Sequence, residues 1–161
     1  MYEFIFNDRY DKSLIRILDI IWKDLDVEAA QMPSRTKQEI FNKICSDLKA
    51  KTTFAIHKSD VVFLVIPDSP WVARLHIFTV DEGVNMRERM KAGKELTAFI
   101  FRNTKIEKVY GVTANKKFIT MGKYAGWKPG QEGVLSKSYH TNDGKLIDQF
   151  IVSVNKSEFM K

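Results

Sequence analysis

Cysteine is nearly absent from this chain: Cys45 is the single one in 161 residues. An internal disulfide is thereby excluded, and the chain suits a reducing compartment. Histidine is scarce too. The three present are scattered, with no zinc-type spacing among them and Cys45, so no metal site is expected. Long apolar runs are missing, and nothing approaches the roughly 18 residues of a membrane span. The opening MYEFIFNDRYD carries acids and no extended apolar core, so it does not read as a signal peptide. Repeats, low-complexity stretches and linker-like segments are lacking as well. One soluble domain over residues 1–161, with one core and no membrane attachment, is the expectation.

What is present in quantity is lysine and arginine. The formal net charge is +6, compatible with an anionic cofactor, an acidic partner or nucleic acid. The lysines are spread along the chain rather than gathered in a block. That pattern favours a solvated basic surface over a nucleic-acid interface.

Hydrophobic periodicity supplies the elements. YEFIF, residues 2–6, is short and aromatic and reads as a first strand. Asp11 or Ser13 is placed to cap a helix bearing Leu14, Ile17, Leu18, Ile21 and Leu25 at helical spacing. Pro33 and Ser34 break that run and open a second helix, with Ile40, Phe41, Ile44 and Leu48 on its apolar face. TTFAIH, VVFLVI and WVARLHIFTV follow as three strands; the uninterrupted VVFLVI is the pattern of a strand buried on both faces. A long helix is expected from Asn85 to Arg102, its inner face carrying Met86, Met90, Gly93, Thr97, Ile100 and Phe101. Gly93 sits there at a cost of about 1 kcal/mol relative to alanine, which close approach to the sheet would explain. KVYGVT is a strand, NKKFITMGKYAGW a short helix, and WKPGQEG a loop. VLSKSYH and KLIDQFIVSV form a hairpin about TNDG. The order is β-α-α-β-β-β-α-β-α-β-β, which predicts an α/β domain with a mixed, twisted central sheet and helices on both faces.

Within NKKFITMGKYAGW, Asn115, Gly126 and Trp127 stand at offsets of zero, eleven and twelve. With the element order and the closing Asp143–Gly144 hairpin, followed by Asp148, this resembles the GNAT (Gcn5-related N-acetyltransferase) family. The resemblance implies the GNAT-like acyl-CoA N-acyltransferase fold. It implies acetyl-CoA held between the strand ending at Val80 and the one beginning at Lys108. Backbone groups of Phe78, Thr79 and Val80 would then meet the thioester and pantetheine, and Asn115 would touch the cofactor as well as cap its helix.

Two departures stand against that pattern. The family's glycine-rich pyrophosphate loop is replaced by TVDEGVNMRERM, with one glycine, Gly83, and two acids, Asp81 and Glu82. Arg87 and Arg89 are the nearest candidate phosphate partners. The tyrosine that often protonates the leaving thiolate, seven residues after the Asn, is here Gly122. Tyr124 lies about 200° round the helix from that position. Candidate catalytic residues are His76, with a suitable ordinary pKa for a base, Asp81 and Glu82 as amine acceptors or bases through water, and Tyr110 and Tyr139 as an acid or as lining of a substrate groove. Each also has a plainer account: a polar residue on a sheet surface, acids favouring a helix N-terminus, and an aromatic packing residue.

A looser resemblance is to small GNAT-like proteins of short-tailed bacteriophages, which share both departures. Together these losses point to a structural or interaction protein, virion-associated or host-directed, with weak or lost chemistry and a protein partner. It would lie in the virion or the host cytoplasm. The alternative is an active N-acetyltransferase moving an acetyl group from acetyl-CoA to an amine of a protein or small molecule.

Overall fold

Residues 12–29, 35–80, 85–141 and 144–161 are described by the computed structural model. The expected first strand, the Asp11 cap, Pro33 and Ser34, and the loop acids Asp81 and Glu82 with Gly83 lie outside them. Helix α1 runs Lys12–Ala29, α2 Lys37–Lys49, α3 Met86–Asn103 and α4 Lys116–Tyr124, with a terminal turn α5 at Lys156–Phe159. The strands are β1 Phe54–Lys58, β2 Val61–Pro67, β3 Val72–Thr79, β4 Lys108–Thr113, β5 Lys128–His140 and β6 Leu146–Asn155. Among the described residues they form one mixed sheet, ordered β1-β2-β3-β4-β6-β5. Every pairing is antiparallel except β3 with β4.

The sheet separates two apolar layers. Ile17, Ile20, Ile21 and Leu25 of α1, with Ile44 of α2, pack on Val62, Leu64, Phe78 and Val80. Leu96, Ile100 and Phe101 of α3, with Trp127 beyond α4, pack on Val61, Phe63, Val65, Leu75, Val109 and Val152 on the opposite face. The VVFLVI run thus feeds both layers in alternation, as its lack of polar residues required. Each such side chain contributes about 1.5–3 kcal/mol on full burial.

Local signals account for most boundaries. Thr36 caps α2 in a reciprocal capping box with Glu39, so the cap lies past the Pro33–Ser34 break rather than at it. Asn85 caps α3 by accepting the Glu88 amide at 3.0 Å. Ser13 lies inside α1 rather than before it. On α3 the buried set is Ala92, Leu96, Thr97, Ile100 and Phe101. Met86, expected inside, is exposed. A Cβ on Gly93 would lie 3.9 Å from Phe63 Cζ, an ordinary contact, so close approach to the sheet does not explain this glycine.

The WKPGQEG stretch departs from the loop expected of it. Strand β5 starts at Lys128 and pairs Pro129 with Val152. Proline is tolerated because β5 is an edge strand, and a register shift between Pro129 and Val134 absorbs the irregularity.

Candidate functional site: the parted strands β3 and β4

Strands β3 and β4 pair through only three rungs, Val72–Lys108, Ala73–Val109 and Arg74–Tyr110. Beyond these they separate. β4 stays with β6 as far as Thr113–Phe150, and β3 stays with β2 as far as Thr79–Val61. The two parallel neighbours therefore open a wedge between Leu75–Thr79 and Gly111–Thr113. At its base the backbones nearly touch: a Cβ on Gly111 would stand 3.3 Å from Leu75 O.

A cavity of about 130 Å³ lies in this wedge on the α3/α4 side. Leu75, Ile77, Gly111 and Val112 border it from the strands, Met90 and Gly93 from α3, and Phe118, Met121 and Gly122 from α4. Its walls are largely apolar. The end of α4 holds one wall in place. Gly126, at φ +88, follows the helix in the left-handed region. The Trp127 amide donates to Gly122 O at 2.8 Å and the Gly126 amide to Lys123 O at 3.1 Å, a Schellman cap. This turns Trp127 inward, where it is buried, and its Nε1 donates to Thr97 Oγ1 at 3.2 Å.

Gly122 is filled space. A Cβ there would lie 3.0 Å from Val152 Cγ1 and 3.6 Å from Trp127 Cβ. Tyr124 points away, 72% exposed.

Backbone direction along β3 decides what faces the wedge. Trp71 O accepts the Glu107 amide at 2.8 Å, and Leu75 O lies against Gly111, so odd-numbered residues turn their backbone groups toward β4. By strand alternation the next in that direction are Ile77 and Thr79. The Thr79 amide is engaged: it donates to Asp24 Oδ2 of α1 at 2.9 Å. Burial raises the Asp24 carboxyl above its ordinary value, against the opposing effects of the Thr79 amide and the Arg89 charge. Val80 O is engaged too, accepting from Arg89 Nη2 at 2.8 Å. Arg89 Nε also donates to Asp60 Oδ2 at 2.7 Å. Asp60 is 1% exposed, and its Oδ1 has no partner among the described residues.

The residues singled out from sequence are thus dispersed. Phe78 is buried in the α1 layer, and Thr79 and Val80 are held by Asp24 and Arg89. Arg87 is exposed on the first turn of α3, whereas Arg89 turns inward to Asp60. His76 borders the wedge, and its ring lies parallel to that of Phe78 at 6.4 Å. Burial, then the charge of Arg74, lowers its pKa. Asn115 is exposed just before α4, its carbonyl accepting the Ile119 amide at 3.1 Å. Tyr139 pairs with Ile147 on the outer half of the β5–β6 hairpin, away from the cavity. Tyr110 donates to Asp68 Oδ2 at 2.7 Å, and that bond raises its pKa.

Asp24 was not among the candidates. Its sequence signal was nonetheless present: it stands four residues after Ile20 and three after Ile21, an acid on the buried stripe of α1.

Known structures share this arrangement. Spermidine N-acetyltransferase from Vibrio cholerae, solved with CoA and spermine, superposes with a TM-score of 0.70 over 99% of this chain and 98% of its own, at 14% identity. The ribosomal-protein-S5-alanine acetyltransferase from Vibrio fischeri gives 0.65, over 98% and 94%, also at 14% identity. This is the GNAT acyl-CoA N-acyltransferase fold. At such identities the likeness establishes the fold alone. No family model and no curated protein sequence matches the chain. Among the described residues no helix is long and apolar enough to cross a membrane, and no cluster of three or more His, Cys, Asp or Glu side chains is suited to a metal ion.

Proposed function

We propose that this chain is an N-acyltransferase that takes its acyl group from acetyl-CoA or a related thioester. The observation that carries the reading is the wedge itself. Two parallel neighbours part after three rungs over an apolar cavity, leaving the inner edge of β3 turned toward it. A pantetheine arm is a thin chain of amides and methylenes. It suits a slot with apolar walls and a strand edge on one side. The Ile77 amide is the donor for the thioester carbonyl, where it stabilises the charge that develops on oxygen. Arg87, exposed at the start of α3, is the phosphate partner in this reading, because Arg89 is committed to Asp60 and Val80. The Vibrio cholerae neighbour was solved with CoA bound.

The test is calorimetric titration with acetyl-CoA, followed by an acetyl-transfer assay on a panel of small amines and peptides. Micromolar binding weakened by Arg87→Ala, with transfer to at least one amine, is the expected result. Absence of binding would sink the reading.

A second reading has its own observation. Gly122 leaves neither an acid nor room for one, since even a Cβ meets Val152. A GNAT-fold interaction protein that has lost its chemistry, with a protein partner in a phage particle or host cell, accommodates that fact. It predicts no acetyl transfer at all in the same assay.

A further inference from the structure

We infer that Asp24 is the catalytic base of this site and that the acceptor is a cationic amine. The inference deepens the acyltransferase reading and rests on it.

The geometry starts from the Thr79 amide. It belongs to the inner edge of β3, two residues beyond Ile77, hence about 7 Å further along the strand. Asp24 Oδ2 sits on that amide at 2.9 Å. An acidic side chain from α1 therefore stands at the open end of the wedge, near the position given to the thioester carbonyl. The Thr79 amide occupies one of the carboxyl's several acceptor positions. The cavity approaches the wedge from the α3/α4 side, whereas α1 packs on the other face. Asp24 thus reaches the edge of β3 from the face opposite the cavity.

The chemistry needs such a group. An alkyl amine is an ammonium ion at neutral pH and is not nucleophilic until it loses a proton. Asp24 holds the ammonium by charge and takes one proton, directly or through one water. The neutral amine then attacks the thioester carbonyl, the C–N bond forms, and the C–S bond breaks. The thiolate leaves with the electron pair and takes up the second amine proton through solvent, and Asp24 returns its proton to water. The carboxyl's raised pKa, caused by burial, makes it a better proton acceptor than an exposed aspartate. The charged neighbours that face it among the described residues are Arg89 from α3 and, through Arg89, Asp60 from the β1–β2 turn. On α1 itself Lys23 is paired with Asp19. His76 on β3 is the competing base.

The test uses the full chain and three proteins: wild type, Asp24→Asn and His76→Gln. Asparagine still offers an oxygen to the Thr79 amide, so a cooperative melting transition no lower than that of wild type shows that the fold is retained. The expected result is unchanged acetyl-CoA affinity by calorimetry and a fall of about 100-fold or more in kcat/KM for the best amine. The acid limb of the pH–rate profile should vanish in Asp24→Asn and persist in His76→Gln. Wild-type rate and profile in Asp24→Asn would overturn the assignment. So would an acid limb that follows His76 instead. Binding of acetyl-CoA without transfer to any amine overturns the base while sparing the thioester site. No binding by the wild type overturns the acyltransferase reading, and the base with it.

Discussion

Replacing Arg89 by methionine should destabilise this protein severely. The change keeps the apolar stem and removes the guanidinium. In the native state that group donates from Nε to Asp60 Oδ2 at 2.7 Å and from Nη2 to Val80 O at 2.8 Å. The Arg89 side chain is 14% exposed and that of Asp60 1%. Asp60 Oδ1 already lacks a partner among the described residues, so Arg89→Met leaves a buried carboxylate with neither oxygen engaged by them. Breaking a buried pair from one side costs about 3–5 kcal/mol. Against a typical total stability of about 5–15 kcal/mol, that is a large fraction. At about 2–4 °C per kcal/mol for a domain of this size, the melting temperature should fall by about 6–20 °C. The control is the double variant Arg89→Met with Asp60→Leu. Removing both charges removes the desolvation penalty, so the double variant should recover most of the loss. Urea unfolding of the two single variants and the double variant closes the cycle. A cost below about 1 kcal/mol for Arg89→Met, or a double variant that loses the sum of the singles, would refute the reasoning.

Three further outcomes follow from the same geometry. Gly122→Tyr should cost about 1–3 kcal/mol by thermal or urea unfolding, because its Cβ meets Val152, and should bring no gain in acetyl transfer; retained stability with a faster rate would show that only the acid was missing. Gly93→Ala should raise stability by up to about 1 kcal/mol, since the new methyl makes only ordinary contact with Phe63; the same methyl narrows the cavity and should weaken acetyl-CoA binding in a titration. Asp24 has a folded pKa above its ordinary 3.8, so the native state holds this proton more tightly than the unfolded chain. Its contribution to stability is therefore fully present below 3.8 and is lost as pH rises through the folded value. Melting temperature against pH should show that, relative to wild type, Asp24→Asn gains stability as pH rises through this window; identical pH slopes in the two proteins would contradict it.

Much of the architecture was legible from short-range pattern. The 3.6-residue recurrence of Ile17, Ile21 and Leu25 marks the buried stripe of α1, and the unbroken VVFLVI marks the strand that serves both layers. Asn85 announces the start of α3, and Gly126 with Trp127 the end of α4, because caps are built from neighbours in the chain. Pro129 misled because proline in a central strand is excluded, and only the finished sheet shows that β5 is an edge.

The site was a different matter. Arg89 was legible as a cation near a helix start, but its partner Asp60 lies 29 residues upstream. Asp24 and Thr79 are 55 residues apart. No periodicity carries information across such distances; only the packing of α1 over the end of β3 brings carboxylate and amide together. Gly122 shows the same division. Its sequence position marked a missing tyrosine, whereas its role is set by Val152 and Trp127 pressing against it. Patterns of burial and capping act between residues a few positions apart, so the chain alone determined its elements. Ion pairs and close contacts act through space, so the tertiary structure decided which groups face the wedge.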